Sequence, residues 1–307
     1  MPNYPEVPGG GLASAALPAP LYTTPLGAAY VGDALGLLRL LPAESIDLVL
    51  TSPPFALARP KAYGNVEEEA YADWFLPFAR EVRRVLRARG SFVVELGWAY
   101  QKGRPVRSLY HIKTVLRMCR ELHFLLCQEF HWFNPAKLPT PVEWVARRRI
   151  RVKDAVSPLF WLAAVEDPKA DWSRVAPPGT ARTAGQVGEA TNVLRIANTE
   201  SNSWYLQCCR SLGISAHPAR FPGQLPKFFI EGLTDPGDVV LDLFGGSNVT
   251  GYMAQQLGRR WAAFELSIAY LAASAFRFLP RGDLAQAECV YRRLLAGPQE
   301  PPLCLGA

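Results

Sequence analysis

The part of the sequence that most restricts how this chain can fold is a glycine-rich turn between an apolar run and a helical pattern. Residues Asp238–Leu243 have the length and composition of a strand, and Phe244–Asn248, with the sequence Phe-Gly-Gly-Ser-Asn, follow directly. A helical pattern then extends to about Leu257, and a second apolar run, Trp261–Phe264, ends in Glu265. This order is a βαβ unit, which predicts an α/β fold with parallel strands.

The same turn suits a ligand that contains a nucleoside but no phosphate. Glycines let the backbone approach a ligand closely, and a helix N-terminus supplies free N–H groups. Glu265 follows the glycines by about 20 positions, where an acidic residue can bind ribose hydroxyls. The pyrophosphate pattern G-x-G-x-x-G is not present as such. Asp242 at the strand end would repel a phosphate and can instead attract an ammonium group.

A second strand end carries a different set of groups. The apolar run Ile46–Leu50 is followed by Thr51-Ser52-Pro53-Pro54-Phe55. Two prolines end a strand because neither offers a backbone N–H. The hydroxyl, the carbonyls and the aromatic ring then lie at the carboxyl end of the strand, where open α/β sheets bind ligands. These groups suit a planar substrate with an amino group; the alternative for the segment alone is a proline-bounded turn after a core strand.

Composition restricts the class of protein. The 307 residues are 49% hydrophobic, carry a net charge of +6 and have a pI of about 9.0, which permits a polyanionic partner. No apolar run approaches the ~20 residues that a membrane span needs, and the N-terminus lacks a secretory pattern. The six cysteines form no C-x-x-C pair and only four histidines accompany them, so no metal site is predicted. A reduced, cytoplasmic protein is expected.

The segment Thr51–Phe55 resembles the catalytic motif of the DNA amino-methyltransferases, which use S-adenosylmethionine to methylate an exocyclic base nitrogen. The segments Trp132–Pro139 (Trp-Phe-Asn-Pro-Ala-Lys-Leu-Pro) and His217–Pro222 (His-Pro-Ala-Arg-Phe-Pro) and the glycine-rich turn are also similar to this family. Their order is the permuted order called β, and they are most similar to the PvuII-type modification methylases, which make N4-methylcytosine. The Ser-Pro-Pro-Phe form is typical of enzymes that act on N4 of cytosine.

The resemblance implies a Rossmann-like S-adenosylmethionine-dependent methyltransferase fold. Its sheet would be mixed but mostly parallel, with helices on both faces, circularly permuted, and with a target-recognition insert. The expected divisions are a flexible arm (1–24), a catalytic half (25–165), a target-recognition region (166–216), a cofactor-binding half (217–280) and a C-terminal tail (281–307). In the third division the sequence shows no strong periodicity, and Pro, Gly, Ser, Thr and Asn dominate.

The resemblance also assigns residues to the site. The implied catalytic residues are Ser52, Pro53, Pro54 and Phe55, together with Glu95, which ends the apolar run Ser91–Leu96. Relatives often carry Asp at that place, so Glu95 is a departure. Its carboxylate can receive the proton of the methylated amine or orient the site. The implied cofactor-binding residues are Asp33, His217, Pro218, Phe221, Asp242, Phe244, Gly245, Gly246, Ser247 and Glu265. Asp33 can also be the N-cap of a helix, and the two roles are compatible.

A basic surface is expected to bind DNA beside these groups. The densest positive run is Arg147–Lys153, and further basic residues follow the Ser-Pro-Pro-Phe motif. Such residues can contact phosphates, or they can form an ordinary solvated surface. The expected DNA-binding residues are Arg59, Lys61, Lys137, Arg147, Arg148, Arg149, Arg151 and Lys153.

The function expected from this resemblance is transfer of a methyl group to N4 of a cytosine flipped out of duplex DNA, by a monomer or weak dimer. Its partner in a restriction–modification system would be a separate endonuclease. No Pro-Cys dipeptide occurs, which argues against methylation of ring carbon 5, because that reaction needs a cysteine nucleophile. The alternatives are methylation of adenine N6, an NAD-dependent oxidoreductase with the same βαβ unit, and a non-catalytic DNA-binding module.

Overall fold

A single mixed sheet runs through the molecule. The computed structural model describes residues 16–56, 66–175, 190–198 and 202–306. The strands are β1 (Tyr22–Thr24), β2 (Gly27–Val31), β3 (Ile46–Thr51), β4 (Leu86–Glu95), β5 (Leu125–Phe133), β6 (Val156–Ala163), β7 (Val193–Arg195), β8 (Val239–Asp242), β9 (Arg260–Glu265) and β10 (Leu303–Cys304). The helices are α1 (Ala34–Arg39), α2 (Tyr71–Val85), α3 (Tyr110–Leu122), α4 (Trp204–Ser211), α5 (Gln224–Leu233), α6 (Val249–Gln256), α7 (Ile268–Ser274) and α8 (Leu284–Leu295).

The strand order in the described chain is β10-β1-β2-β9-β8-β3-β4-β6-β5-β7. The central strands β2, β9, β8, β3 and β4 are parallel, whereas β6 is antiparallel to both β4 and β5. The sheet is therefore mixed and mostly parallel. The resemblance to methyltransferases predicted this arrangement.

Helices cover both faces of the sheet. One buried cluster joins α1, α2 and α3 to one face, and it includes Leu38, Phe75 and Met118. The other cluster joins α4, α5, α7 and α8 to the opposite face, and it includes Phe229 and Leu271. Buried parallel strands read as continuous apolar runs, and this is why both predicted strand ends were visible in the sequence.

The pairing of β3 with β8 decides where functional groups meet. Leu48 lies beside Val240 and Val49 beside Leu241 in parallel register. The two strands therefore end at the same edge of the sheet, although almost 200 residues separate them in sequence. No helix in the described part of the chain is long and apolar enough to cross a bilayer.

One boundary prediction was wrong because strand pairing outweighed helical periodicity. Apolar spacing over Tyr71–Arg89 predicts a helix that Gly90 ends, but α2 ends at Val85. Leu86 has extended backbone angles and pairs with Ile46 of β3. Gly90 lies inside β4, where a Cβ atom would stand 3.1 Å from the carbonyl oxygens of Ile46 and Asp47. Close packing against the start of β3, rather than a helix end, requires this glycine.

Regular structure was missed in four short elements. The strand β7 adds to the edge of the sheet beside β5, and α4 buries Tyr205, Cys208 and Cys209, although this stretch shows no strong periodicity. Residues 22–24, assigned to a flexible arm, form β1, and β10 of the predicted tail pairs with it. Elements of two to eight residues are too short to establish a period, and only their tertiary partners stabilise them.

Candidate active site

One cavity of about 530 Å³ lies at the shared carboxyl ends of β3 and β8. Ser52 and Gly245 both line it, so the two motifs that the sequence places far apart share one cleft. Every residue predicted to be catalytic or to bind the cofactor lines the cavity, and so does Lys137. These residues are Asp33, Ser52, Pro53, Pro54, Phe55, Glu95, Lys137, His217, Pro218, Phe221, Asp242, Phe244, Gly245, Gly246, Ser247 and Glu265.

At the Ser52 end of the cavity, a buried carboxyl group receives several polar contacts. Glu95 ends β4, and only 5% of its surface is exposed. Burial raises the pKa of Glu95 to about 7, while hydrogen bonds from Ser52 and Ser157 and the positive charge of Lys137 act in the opposite direction. Because the Ser52 hydroxyl donates to this carboxyl group, the lone pairs of its oxygen are left to accept a hydrogen bond from a substrate.

The ring of Phe55 lies against the backbone of the strand end that carries Glu95. A Cβ atom built on Gly97 would lie 2.3 Å from Cε2 of Phe55, so no larger residue fits there while the ring keeps this position. The buried hydroxyl of Tyr110 donates a hydrogen bond to the carbonyl oxygen of Gly97. Gly97 and its neighbours therefore hold the aromatic ring at the cavity wall.

At the Gly245 end, the glycine-rich turn packs against the His217 motif. Gly246 has a φ of +52°, and an added Cβ would lie 3.0 Å from the His217 ring. His217 donates from Nδ1 to the carbonyl oxygen of Ala219 at 2.6 Å and meets Tyr270 edge to face at 4.7 Å. This packing explains why glycine and histidine motifs distant in sequence occur together.

Two carboxylates at the same end keep lone pairs available for a ligand. Glu265 ends β9 and accepts hydrogen bonds from the backbone N–H groups of Gly246 at 2.9 Å and Ser267 at 2.8 Å. Burial raises the pKa of Glu265. Asp33 is the N-cap of α1, with Oδ2 accepting from Gly36 N at 2.8 Å, so the predicted capping role is confirmed, and the residue also lines the cavity. Both groups can accept hydrogen bonds from hydroxyl or amino groups.

Asp242 connects the two ends of the site. Its buried carboxylate accepts hydrogen bonds from the Thr51 hydroxyl at 2.7 Å, from Phe244 N at 3.1 Å and from the Thr250 hydroxyl at 2.8 Å. Thr51 directly precedes the catalytic motif, so this carboxylate ties β3 to the glycine turn. Its predicted attraction for an ammonium group stays a prediction, and the structural role as a link is one that the sequence did not indicate.

The basic run lies on the surface beside the Ser52 end. Lys153 contacts the carbonyl oxygen of Pro135 at 3.4 Å, and Asn134 N donates to Ala155 O at 2.8 Å, which joins the run to the cavity wall. Arg107 anchors the adjoining Asp154 through an ion pair. The basic run does not line the cavity itself: Arg147, Arg148, Arg149, Arg151 and Lys153 are exposed. Arg59 and Lys61 lie outside the described residues.

Several wall residues were not assigned from the sequence. Ser157 is the second residue of β6, and it reaches Glu95 because β6 runs antiparallel to β4, a direction that no local pattern reveals. Trp132 and Asn134 belong to the segment Trp132–Pro139, whose prolines stop a strand at its end, and both line the cavity. Ala219 and Arg220 belong to the His217–Pro222 motif but were given no role. The remaining wall residues lie outside the quoted motifs: Ala34, Trp74, Phe78, Asn198, Leu243, Val249 and Leu266.

The negative charges at the Gly245 end of the cavity favour one class of nucleoside ligand over another. Asp33, Asp242 and Glu265 place carboxylates around this end of the cavity. Asp242 is buried and Glu265 is half-buried. A pyrophosphate would be repelled by these groups, whereas a nucleoside with a positively charged amino-acid group would be attracted. The residues therefore fit S-adenosylmethionine better than a dinucleotide.

Comparison with known proteins gives consistent matches. A family model described as DNA methylase (N6_N4_Mtase) matches residues 46–276. The type II methyltransferase M.PvuII of Proteus hauseri is 47% identical over 308 residues, which cover 91% of each chain. A solved structure titled PvuII DNA methyltransferase (cytosine-N4-specific) matches with a TM-score of 0.84 at 48% identity, over 94% of this chain and 98% of that one. A complex of M1.HpyAVI with S-adenosylmethionine, at 17% identity over 81% of this chain and 97% of that one, has a TM-score of 0.53 and shares the fold.

Proposed function

The chain belongs to the DNA methylase family, and on that premise we propose that it transfers a methyl group from S-adenosylmethionine to the exocyclic N4 of cytosine in duplex DNA. The observation that carries this proposal is the single cavity that holds both the Ser52 motif and the glycine turn. The relative with 47% identity supports the same base, because the solved PvuII enzyme is described as cytosine-N4-specific. Family membership leaves the oxidoreductase alternative without support.

The cofactor would bind at the Gly245 end. Glu265 would accept hydrogen bonds from ribose hydroxyls, Asp33 would accept from the adenine amino group, and the turn at Gly245 and Gly246 would allow close backbone approach. Bound S-adenosylmethionine supplies a methyl group on a sulfonium, which is electrophilic without further activation. The protein therefore has to position the amine and to take up its proton.

The Ser52 end performs those two tasks. The target base must leave the duplex because its amino group is otherwise paired and unreachable. Phe55 would stack on the extruded ring, and the Ser52 oxygen and the Pro53 carbonyl would accept hydrogen bonds from the amine. Those bonds draw electron density from the ring into the attacking lone pair. The Ser52 hydroxyl already donates to Glu95, so the amine proton has a path from nitrogen through Ser52 to the buried carboxylate.

The divisions of the chain follow from this scheme and form part of the proposal. Residues 25–165 would supply base-binding groups and residues 217–280 would supply the cofactor site, while residues 166–216 would contribute to target recognition. We further propose that the enzyme protects DNA from a cognate restriction endonuclease that acts separately, and that the chain works as a monomer or weak dimer. Access to genomic DNA supports a cytoplasmic location.

Methyl transfer to DNA tests the proposal directly. Purified protein would be incubated with duplex DNA and cofactor labelled in the methyl group, and the DNA would be digested for nucleoside analysis. We expect label in N4-methylcytosine. Label found only in N6-methyladenine would overturn the base assignment, and DNA binding without any transfer would favour a non-catalytic module.

The basic run Arg147–Lys153 should contribute to DNA affinity through phosphate contacts. Arg148 and Arg149 are exposed and form no ion pair among the described residues, so their charges are available. We expect the double variant Arg148→Ala/Arg149→Ala to weaken DNA binding uniformly across sequences and to reduce the salt slope by about 2. Fluorescence anisotropy at several salt concentrations measures both effects.

The matched control is Arg292→Ala, which removes a charge that pairs with Glu288 on α8. This variant should bind DNA as the wild type does. An unchanged salt slope in the Arg148→Ala/Arg149→Ala variant would show that the run does not contact phosphates.

A further inference from the structure

The Ser52 end of the cavity is lined both by oxygen groups that can take up a proton and by nitrogen groups that can donate hydrogen bonds. The mechanism above uses only the oxygen groups. In the proposed mechanism, the amine proton passes through Ser52 to Glu95, which share a hydrogen bond. Lys137 and Asn134 line the same cavity and carry nitrogen donors. These two donors have no task in the transfer of the methyl group or in the removal of the proton.

The amide of Asn134 is oriented by its backbone contacts. Its Oδ1 accepts hydrogen bonds from Ala136 N at 3.1 Å and from Asn198 N at 3.2 Å. Because both partners are donors, the oxygen must face them, and the Nδ2 hydrogens are left for a different acceptor. Within the described chain no such acceptor contacts Nδ2. Asn134 therefore offers hydrogen-bond donors to a ligand in the cavity.

The ammonium group of Lys137 is in a similar situation. The side chain is half-buried, and it makes no hydrogen bond or close ion pair with any residue that the structure describes. Burial lowers its pKa, while Glu95 and Asp154 attract it from a longer distance. A charged group that is partly removed from water and lacks a direct partner is costly. An acceptor atom supplied by the substrate would remove this cost.

The two candidate bases differ in what they offer beside the reactive amine. In cytosine the amino group is followed along the same edge by two acceptors, the ring nitrogen N3 and the carbonyl oxygen O2. In adenine the amino group is followed by one acceptor, the ring nitrogen N1, and then by a C–H group. Two donors placed beside the amine site therefore match cytosine, and one of them would stay unpaired against adenine.

We propose that Lys137 and Asn134 bind the N3–O2 edge of the flipped cytosine and thereby select cytosine over adenine. This inference rests on the proposed function, because it assumes that the amine is held by Ser52. An unpaired donor in the desolvated pocket would penalise adenine. The selection thus comes from Lys137 and Asn134, which line the same cavity as Ser52, and not from the Ser-Pro-Pro-Phe sequence alone.

The competing use of Lys137 is a contact with a DNA phosphate. Its neighbour Leu138 is 72% exposed, so this segment reaches the surface, but Lys137 itself lies in the wall that also contains Ser52. The two uses predict different measurements. A phosphate contact changes affinity for all sequences and changes the salt dependence, whereas a base contact changes discrimination at the target position.

The test first needs the target site, which sequencing of modified bases in DNA from expressing cells would give. Three duplexes would then carry cytosine, adenine or a 2-aminopyridine C-nucleoside at the target position. The last of these keeps the amino group and the adjacent ring nitrogen but has C–H in place of the carbonyl. Methyl transfer would be measured as kcat/KM on each duplex, and equilibrium binding would be measured by anisotropy at several salt concentrations.

The wild type should prefer cytosine over the 2-aminopyridine duplex by about tenfold. In Lys137→Met this preference, and the preference for cytosine over adenine, should fall by about tenfold while the salt slope is unchanged. The control Lys227→Met removes the same charge from α5, where Lys227 pairs with Glu231 at 3.8 Å, and it should keep the wild-type ratios.

Several outcomes would overturn the inference. One is a wild type that treats cytosine and the 2-aminopyridine analogue alike, a result that needs no folded variant. Another is an equal loss on all three duplexes in Lys137→Met with a salt slope reduced by about 1, which would identify a phosphate contact. In both cases N4-methylcytosine is still formed and the proposed function stands. A wild type that methylates adenine and not cytosine would refute the proposed function itself.

Discussion

Ser52→Ala should lower kcat for methyl transfer by a hundredfold or more, which is about the size of a general acid–base contribution. The substitution removes the oxygen that would accept a hydrogen bond from the amine, and it interrupts the path to Glu95. Cofactor affinity should stay within about twofold, because the groups expected to bind the cofactor lie at the Gly245 end of the cavity. Single-turnover transfer from labelled cofactor and a separate cofactor titration measure the two effects.

The matched control is Ser157→Ala, which removes the other hydroxyl that donates to Glu95. Ser157 is not part of the strand end that would hold the amine, so this variant should lose much less activity than Ser52→Ala. Equal losses in both variants would mean that Ser52 acts only on the carboxyl group. A parallel loss of cofactor binding in Ser52→Ala would contradict its assigned role.

Glu95→Gln should lower kcat by a similar factor and should remove a pH dependence. The pKa of Glu95 is about 7, mainly because the group is buried, so the carboxylate that takes up the proton should form only as the pH rises through 7. Wild-type turnover should therefore increase across this range and level off above it. Glutamine cannot take up the proton at any pH, and the increase should be absent.

Glu95→Asp is the informative companion variant, because it keeps a carboxylate while shortening the side chain by one methylene. It should retain a rising pH limb, with turnover closer to that of the wild type than to that of Glu95→Gln. Turnover by Glu95→Gln within tenfold of the wild type, with the rising limb preserved, would show that another group receives the proton.

Titration of the Glu95 carboxyl group should also change the free energy of unfolding with pH. Its pKa is raised from 4.5 in the unfolded chain to about 7 in the folded one, so the folded state binds the proton more tightly. As the pH rises from 4.5 through 7, this group should therefore lower the free energy of unfolding by about 3 kcal/mol. Glu95→Gln lacks this contribution, and its unfolding free energy should fall less over the range. Denaturant unfolding at pH 5 and pH 8 compares the two proteins.

Local chemistry made much of the candidate site predictable from the sequence. A pair of prolines ends a strand wherever it occurs, and glycines followed by an acidic residue at a fixed spacing describe one βαβ unit. Ser52, Gly246 and Glu265 could therefore be assigned without coordinates. The buried strands were equally visible, because both faces of a parallel strand are apolar and the run is continuous.

Other features depended on contacts between distant segments. The helix boundary at Val85, the strand β7 and the helix α4 arise from partners that lie far away in sequence. The link from Thr51 through Asp242 to Thr250 requires the pairing of β3 with β8. Local propensity carries no information about such pairings, so the sequence pattern could not predict them.

The division between the two sources of information follows from the range of the forces. The sequence alone determined which strand ends carry functional groups, because backbone geometry and residue type act over a few positions. Only the tertiary structure decided that these ends share one cleft, that burial raises the pKa of Glu95, and that Lys137 and Asn134 line the cavity with donors that no described residue pairs. Desolvation and hydrogen-bond partners depend on which segments the fold brings together.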